Sequence, residues 1–370
     1  MLYPVMPIYL KSIGFTALLI GVLEGLAEAV AGLSKGYFGN LSDRLGKRTI
    51  FIKTGYSLSA VSKPMLAVFT YPLWIFFART LDRLGKGVRT SARDAILSDE
   101  SQAETKGRVF GFHRALDTLG AFIGPIAALV YLSFFPDDYV SLFYLAFIPG
   151  ILSISLTFFI KERKLEQKPS VTKTGFFAFL KYWKYSSAEY KKLVIGLFFF
   201  SLINSSDVFL LLMIKYLGYS DGEVIFTYIF YNLIYSVFSF PVGIIADKIG
   251  LRKIFIFGLI LFATVYGGMT FHPSYYVILS LFFLYGIYAS ATESIGKAWI
   301  TNISERKDTA TAIGFFTGLS SVFTLIASIL AGFLWNVFSP SVTFGFSSVG
   351  AILLIIYFLT FIKTKVVQKY

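Results

Sequence analysis

The sequence predicts an all-α polytopic membrane protein of about twelve helices, arranged as two six-helix halves. Hydrophobic residues make up 56% of the 370 positions and charged residues only 15%, whereas a soluble protein carries about 25% charged residues. Its apolar runs approach or exceed the roughly 20 residues that cross a bilayer as a helix. A polar motif also occurs twice, with its acidic residues, Asp43 and Asp247, 204 positions apart.

The motif occupies residues 39–48 and 243–252, and both copies read G-x-x-x-D-[RK]-x-G-x-[RK] between two apolar runs. Its second glycine permits a sharp reversal of the chain, and its basic residues suit the side of a membrane on which Lys and Arg are retained. Its carboxylate suits the positive end of a helix. A plain basic loop would explain neither the glycines, nor the acid, nor the repeat. The motif residues are Gly39, Asp43, Arg44, Gly46 and Arg48 in the first copy and Gly243, Asp247, Lys248, Gly250 and Arg252 in the second.

The two copies resemble the loop signature of the major facilitator superfamily, found between its second and third helices and again between its eighth and ninth. The resemblance covers essentially the whole chain and implies that fold, with a binding site between the two halves. It does not specify a substrate. It also implies that the motif acids hold an inward gate, with Asp43 docking at residues 308–311 and Asp247 at residues 107–108.

The expected spans and domains follow from the apolar runs. The halves are residues 1–160 and 193–370, and a cytoplasmic linker, 161–192, joins them. The first span is too short to cross a bilayer, so we expect the first helix to lack its start. Within the linker, residues 175–185 are expected to form an aromatic amphipathic helix on the membrane surface or to be a simple tether. The spans are expected near 1–10, 16–39, 49–69, 72–94, 108–132, 140–160, 193–216, 222–246, 253–271, 275–301, 309–337 and 341–362.

The net charge of +13 does not indicate nucleic-acid binding, because the chain has no soluble domain on which a basic face could form. The basic residues fall on alternate loops, and this asymmetry places the motif loops, the linker and the C-terminus in the cytoplasm of a cell-membrane protein. The chain has no cysteine, which excludes disulfides and thiolate chemistry. We expect no cofactor, no metal site and a monomer in the bilayer.

Charges inside spans cost about 2.5–3.5 kcal/mol each, so they need a reason. In the fourth span, charged residues follow the spacing i, i+3, i+4 and i+7 and therefore share one helix face. The mid-membrane set then has three cations and four acids, and the surplus acid is a candidate proton carrier. A structural ion-pair network is the alternative. The residues are Arg79, Asp82, Arg83 and Lys86 in the fourth span, Glu24 and Glu28 in the second, and Asp207, beside Asn204, in the seventh.

The resemblance implies that the first, fourth, seventh and tenth helices line a central cavity, so the charges of the fourth span and Asp207 would face substrate. It also implies a cavity arginine linked to proton coupling, which is Arg79 or Arg83. Glu24 and Glu28 lie one turn apart, where mutual repulsion favours one shared proton.

Two further patterns lie near the expected inner side of the membrane. Glu293 and Lys297 are spaced as an i,i+4 pair near the gate. Residues 120–125 resemble the superfamily's antiporter motif, although close helix packing through small residues also explains them.

The expected function is secondary active transport of a small solute by alternating access, with protons as the driving ion. No phosphate-binding glycine loop is present, and neither is a nucleophile–base set, so an ATP-driven pump and an enzyme are both disfavoured. An antiporter that expels cationic amphiphiles remains an alternative. So does a receptor or scaffold that keeps the fold without transporting.

Overall fold

The computed structural model describes residues 5–15, 17–161 and 175–362, and this part of the chain is helical without strands. Three short 3-10 helices lie at Ala103–Thr105, Phe176–Lys181 and Arg306–Asp308. The α-helices are α1 Met6–Ser12, α2 Ala17–Leu45, α3 Thr49–Val68, α4 Pro72–Asp99, α5 Lys106–Phe134, α6 Tyr139–Thr157, α7 Tyr182–Tyr185, α8 Ala188–Ile203, α9 Val208–Tyr216, α10 Asp221–Ile249, α11 Leu251–Met269, α12 Tyr275–Ile303, α13 Thr309–Val337 and α14 Pro340–Phe361.

The predicted all-α polytopic fold is confirmed. Twelve helices correspond to the expected spans once α8 and α9 are counted as one interrupted span and the single turn α7 is left out. Within the described residues, eight helical segments are long and apolar enough to cross a membrane. Helix α4 is not among these eight segments, because the charged residues on one of its faces lower its hydropathy. Exposed apolar side chains such as Leu73, 84% exposed, and Phe159, 81% exposed, suit a lipid-facing surface.

Turns and caps explain where several helices begin. Gly46 and Gly250 have φ angles of +62° and +104°, which favour glycine, so both motif copies turn the chain at the expected residue. Ser220 accepts a hydrogen bond from the Glu223 N–H, while the Glu223 carboxylate accepts from the Ser220 N–H, forming a capping box for α10. Ser187 caps α8 with one hydrogen bond, which its side chain accepts from the Tyr190 N–H.

Two expectations about helix bounds are wrong. Helices α2 and α10 continue through Leu45 and Ile249 instead of ending near residues 39 and 246, so Asp43 and Asp247 lie in the last turns of these helices. The expected seventh span is interrupted between Ile203 and Val208. Asn, Ser and Asp side chains compete for backbone hydrogen bonds, and four of them in succession at 204–207 explain the interruption.

The contacts divide the chain into two compact units. The first takes in the described residues up to Glu100, Gly120–Tyr185 and Glu305–Ser321. In this unit α3 packs against α4 and α6, and α2 packs against α4. A buried apolar core joins these helices through Tyr9, Leu66, Ile75 and Phe143. Gly55 and Gly85 let α3 and α4 approach closely, because a Cβ on either would lie 2.6 Å from the other's carbonyl oxygen.

The second unit comprises Ser101–Leu119, Ser186–Ser304 and the described residues from Val322 onward. Here α12 packs against α10 and α11, and α14 packs against α11 and α8. Its core is rich in aromatic side chains. Tyr285 lies at 5.0 Å from Tyr231 and 5.1 Å from Tyr288, measured between ring centroids.

Within the linker, residues 162–174 lie outside the described residues. Residues 175–185 form a 3-10 helix followed by the single turn α7, instead of one continuous amphipathic helix. Several aromatic side chains of this segment contact the first unit. Phe176 stacks on Tyr37 of α2 at 5.2 Å, and Trp183 stacks on Phe315 of α13 at 5.8 Å.

Candidate functional site

The first motif acid binds the start of α13. Asp43 Oδ2 accepts hydrogen bonds from the backbone N–H of Thr311 at 2.6 Å and from its hydroxyl at 2.8 Å. The N–H groups of a first helical turn have no partner within the helix and attract negative charge. At Gly39, a Cβ would lie 2.4 Å from the carbonyl oxygen of Ala310, so glycine permits the approach. The contact lies in the segment 308–311 that the sequence analysis expected.

Arg48 joins this contact to a buried ion network. Its guanidinium pairs with Asp43 at 3.2 Å and with Asp99 at the end of α4, and it donates to the carbonyl of Arg306 at 3.3 Å. Arg306 also pairs with Asp99, at 3.4 Å. The side chains of Asp43, Arg48 and Asp99 are at most 6% exposed. Two buried carboxylates thus share Arg48, and Asp99 also pairs with Arg306. Arg44, of the same motif, is half-buried.

The second motif acid binds the start of α5. Asp247 accepts hydrogen bonds from the N–H groups of Gly107 and Arg108, each at 2.7 Å. At Gly243, a Cβ would lie 2.3 Å from the Gly107 carbonyl oxygen. Both motif acids therefore bind the first turn of a helix remote in sequence, at the positions expected.

The rest of the second motif differs from the first. Arg252 donates to the carbonyls of Phe358 and Leu359, at 3.1 and 2.9 Å, at the C-terminal end of α14, where the helix dipole favours a cation. Lys248 is exposed. Asn302 stands 203 residues after Asp99 and donates to the carbonyl of Ala103 at 3.1 Å. The second copy thus relies on backbone hydrogen bonds where the first has ion pairs.

The charged side chains of α4 form ion pairs with two neighbouring helices, α3 and α2. Asp82 pairs with Lys63 of α3 at 2.6 Å and with Arg79 at 3.7 Å. The count of mid-membrane charges omitted Lys63, and its inclusion balances four cations against four acids. That count is therefore wrong, because Lys63 lies in an otherwise apolar run and pairs across helices. These contacts are those of a structural ion-pair network.

Arg83 forms its ion pair with α2 rather than with α3. It pairs with Glu28 of α2 at 2.8 Å, and the Glu28 side chain is 51% exposed while that of Arg83 is 11% exposed. Lys86, one turn further, is exposed and lies within electrostatic range of Glu28. Glu24 lies one turn before Glu28 in α2, but its side chain is outside the described part of the structure. A half-exposed carboxylate thus faces two cations of α4.

Asp207 lies at the interruption between α8 and α9, and its side chain is exposed. Its carboxylate accepts a hydrogen bond from the Tyr285 hydroxyl of α12 at 2.6 Å. Asn204 ends α8, and its Oδ1 is buried with no hydrogen-bond partner among the residues that the structure describes. Asp207 therefore lies beside the aromatic core of the second unit.

A further cluster joins α5, α10 and α12. Arg114 donates to the Glu293 carboxylate and to the Tyr235 hydroxyl, and it pairs with Asp117 at 3.2 Å. Glu293 was expected to pair with Lys297, and the structure gives it Arg114 as a partner across helices. Lys297 lies one turn further along α12.

In the 120–125 motif, Pro125 lies inside α5, and a Cβ at Gly120 would have no described atom within 4 Å. Close packing does not explain Gly120. Three side chains that the site prediction omitted, Lys63, Tyr285 and Arg114, make contacts to predicted residues. Lys63 of α3 and Tyr285 of α12 lie in apolar runs without a repeated motif, whereas Arg114 is recognisable in the sequence as a charge inside an expected span.

Comparisons with known proteins agree with this geometry. The profile of the Major Facilitator Superfamily matches residues 1–231 and 193–369. An uncharacterised MFS-type transporter of Methanocaldococcus jannaschii is 33% identical over 359 residues, covering 95% of this chain and 88% of that protein. The quinolone resistance protein NorA of Staphylococcus aureus is 30% identical over 122 residues, 33% of this chain and 31% of that protein.

Among solved structures, the transporter FucP of E. coli in its outward conformation covers 96% of this chain and 93% of its own. Its TM-score is 0.78 at 12% sequence identity, which shows a shared fold. The repeated motif, the twelve helices and these comparisons agree, and the chain therefore belongs to the major facilitator superfamily, whose members are transporters rather than enzymes.

Proposed function

We propose that the chain is a secondary active transporter that moves a small solute by alternating access, driven by protons. The observation that carries the proposal is the pair of Glu28 with Arg83 at 2.8 Å, in which the carboxylate is half exposed and the guanidinium is buried. A carboxylate with solvent access can exchange a proton, and a nearby arginine controls which protonation state is favoured. Movement of the arginine between access states would load and release the proton.

Glu24 and Asp207 are the other candidate carriers. Glu24 is one turn from Glu28, and two acids so close favour a single shared proton. Asp207 has a tyrosine hydroxyl rather than a cation as its partner. For this reason Glu28, with Glu24, has the stronger case, and the contact with Arg83 supports it.

The motif acids are proposed to hold the cytoplasmic gate rather than to bind substrate. Asp43 and Asp247 each bind the first turn of a helix from the other half of the sequence. Such contacts must break and re-form if α5 and α13 move during alternating access. Orientation follows from the charge asymmetry of the loops, with the motif loops and linker in the cytoplasm and the protein in the cell membrane.

A second candidate function is efflux of a cationic amphiphile by proton antiport. Two observations favour it. A third of the chain resembles a quinolone resistance protein, and Asp207 lies against a cluster of tyrosines, where aromatic faces and a carboxylate suit a cation. The basic face of α4 instead favours an anionic or zwitterionic solute.

The test is transport in proteoliposomes with an imposed pH gradient, after a thermal-shift screen of metabolites and drugs has found a substrate. Three variants, Glu24→Gln, Glu28→Gln and Asp207→Asn, are compared with Asp137→Asn, which neutralises an acid on an exposed loop. Neutralising the carrier should abolish accumulation driven by the pH gradient but preserve substrate exchange. The assignment is wrong if all three still accumulate substrate.

A further inference from the structure

The interruption of the seventh span leaves a group of oxygen atoms without partners. In a continuous helix, the N–H groups of Ser206 and Asp207 would bind the carbonyls of Leu202 and Ile203. Here Ser206 N–H instead lies 3.4 Å from the hydroxyl of Ser328, and those two carbonyls accept no hydrogen bond from the described residues. The last carbonyls of α8 therefore point their negative dipole ends at the interruption.

Side chains add to this group. Asn204 Oδ1 is buried and has no hydrogen-bond partner among the described residues. The hydroxyl groups of Ser205, the next residue, and of Tyr266, in the core of the second unit, are also buried. Ser205 is 5% exposed and Tyr266 is 1% exposed. The Tyr266 hydroxyl lies beside those of Ser205 and Tyr285, and Tyr285 donates to Asp207. Orphaned polar atoms are costly in a buried site, so Asn204 Oδ1 and the free carbonyls of Leu202 and Ile203 need an explanation.

The net charge of the group is negative. Asp207 receives a hydrogen bond from Tyr285 but no ion pair from any described side chain, because the neighbouring Arg114 pairs with Glu293 and Asp117. The group thus combines one carboxylate with neutral carbonyl, amide and hydroxyl oxygens. Oxygen ligands with a single negative charge suit a monovalent cation, whereas Ca²⁺ and Mg²⁺ are usually held by more than one carboxylate.

We propose that the interruption between α8 and α9 binds a monovalent cation, with Asp207, Asn204, Ser205 and the carbonyls of Leu202 and Ile203 as its ligands. The cation is a metal ion such as Na⁺ or the ammonium group of a substrate, which present the same single charge to these oxygens. Interrupted membrane helices bind coupling ions through such free carbonyls. Tyr285 is a positioning residue, since it holds the Asp207 carboxylate without contacting the cation. Binding of the cation does not depend on the proposed transport function. Only a role of the cation in coupling rests on that function.

The test is equilibrium binding to the detergent-purified full chain, followed by thermal unfolding, and it needs no transport. NaCl, LiCl, KCl and methylammonium chloride are compared with choline chloride at constant ionic strength. A ligand that binds only the folded state raises the midpoint temperature as its concentration rises. A rise with Na⁺ assigns a metal ion, and a rise with methylammonium but not Na⁺ assigns a substrate ammonium group. No rise with any of these cations overturns the proposal.

Variants localise the effect. Asp207→Asn and Ser205→Ala should abolish or strongly reduce the rise, and Tyr285→Phe should weaken the cation's affinity by about 10–100-fold, as loss of an outer-shell partner does. Asp137→Asn should respond as the unchanged protein does. Since Ser205→Ala and Tyr285→Phe alter no charge, they keep the test decisive if Asp207→Asn fails to fold. A cation response that persists in both sinks the proposal. Loss of proton-driven transport in Glu28→Gln with an intact cation response separates this site from the proton pathway.

Discussion

Asp43 binds Thr311 through two hydrogen bonds, one from the backbone N–H and one from the hydroxyl, although 268 residues separate them in sequence. The carboxylate thus serves as a cap for a helix to which it is not connected locally. Asp247 does the same for α5 through Gly107 and Arg108. Hydrogen bonds to the start of a helix can break and re-form when that helix moves, which is the property that the proposed gate requires.

Asp43→Asn should slow transport while leaving substrate affinity within a few-fold. Hydrogen bonds to a charged group contribute about 1.5–3 kcal/mol, so loss of the charge should shift the gating equilibrium by roughly tenfold or more. Initial transport rates and substrate binding to the same proteoliposome preparation measure the two effects separately. Thr311→Val, which deletes only the hydroxyl bond, should have the smaller effect. A large loss of affinity with normal gating would count against the gate.

Arg48→Met should destabilise the protein more than any other single change in the motif. It would leave the carboxylates of Asp43 and Asp99 buried without their shared arginine, and removing one partner of a buried pair costs about 3–5 kcal/mol. The midpoint temperature of thermal unfolding in detergent measures this loss of stability. Lys47→Met is the matched control, since Lys47 is the exposed neighbour and its loss should have little effect. Equal midpoints for the two variants would show that the network contributes no stability.

Lys63 and Asp82 are expected to serve packing of α3 on α4 rather than transport. Lys63→Met alone should be strongly destabilising, because Asp82 loses its partner at 2.6 Å. Replacing a whole buried pair by apolar residues is often neutral, so adding Asp82→Leu should recover most of the loss. Arg79 lies 3.7 Å from Asp82, and a double-mutant cycle apportions the remaining coupling. If the double variant folds well but transports nothing, the pair has a functional role.

The motif contacts could be predicted because a repeat fixes which residues matter and the superfamily's fold fixes where they dock. The partners that side chains find on neighbouring helices could not be predicted. Whether α4 turns Asp82 toward Lys63 depends on the rotation of two helices about their axes, and one residue of error rotates a helical side chain by roughly 100°. The interruption at 204–207 was missed for a different reason. Its polar residues were read as site residues within a span, although their competition for backbone hydrogen bonds also ends a helix.

Topology can be tested on a chain that has no native cysteine. Leu45→Cys, at a residue 37% exposed in the first motif turn, should resist an impermeant thiol reagent in intact cells and react once the membrane is permeabilised. Tyr276→Cys, at a residue 82% exposed near the start of α12, should react in intact cells. The charge asymmetry of the loops is the reason for this expectation. Labelling of position 45 in intact cells would reverse the orientation.

The described part of the linker should affect the proposed gate through α2, the helix that carries Asp43, and not merely join the halves. Phe179 is 1% exposed, and its ring atoms lie 2.6–2.8 Å from where a Cβ on Gly36 would be. Phe179→Ala would leave a cavity against α2, at a cost of about 3–5 kcal/mol. We expect a lower midpoint of thermal unfolding together with an altered rate of substrate exchange. Phe177→Ala, at a neighbouring ring that is 56% exposed, should change neither.

Combining substitutions at Phe179 and Gly36 gives a sharper version of the same test. Gly36→Ala alone should also destabilise, because its methyl group would collide with the Phe179 ring. In the double variant, that methyl enters space the missing ring has vacated, so the combined loss should be smaller than the sum of the two single losses. Thermal unfolding of the four proteins gives the coupling directly. Additive losses would mean that Phe179 and Gly36 do not pack together in the membrane, and the linker would then be a tether whose contact with α2 has no effect on the gate.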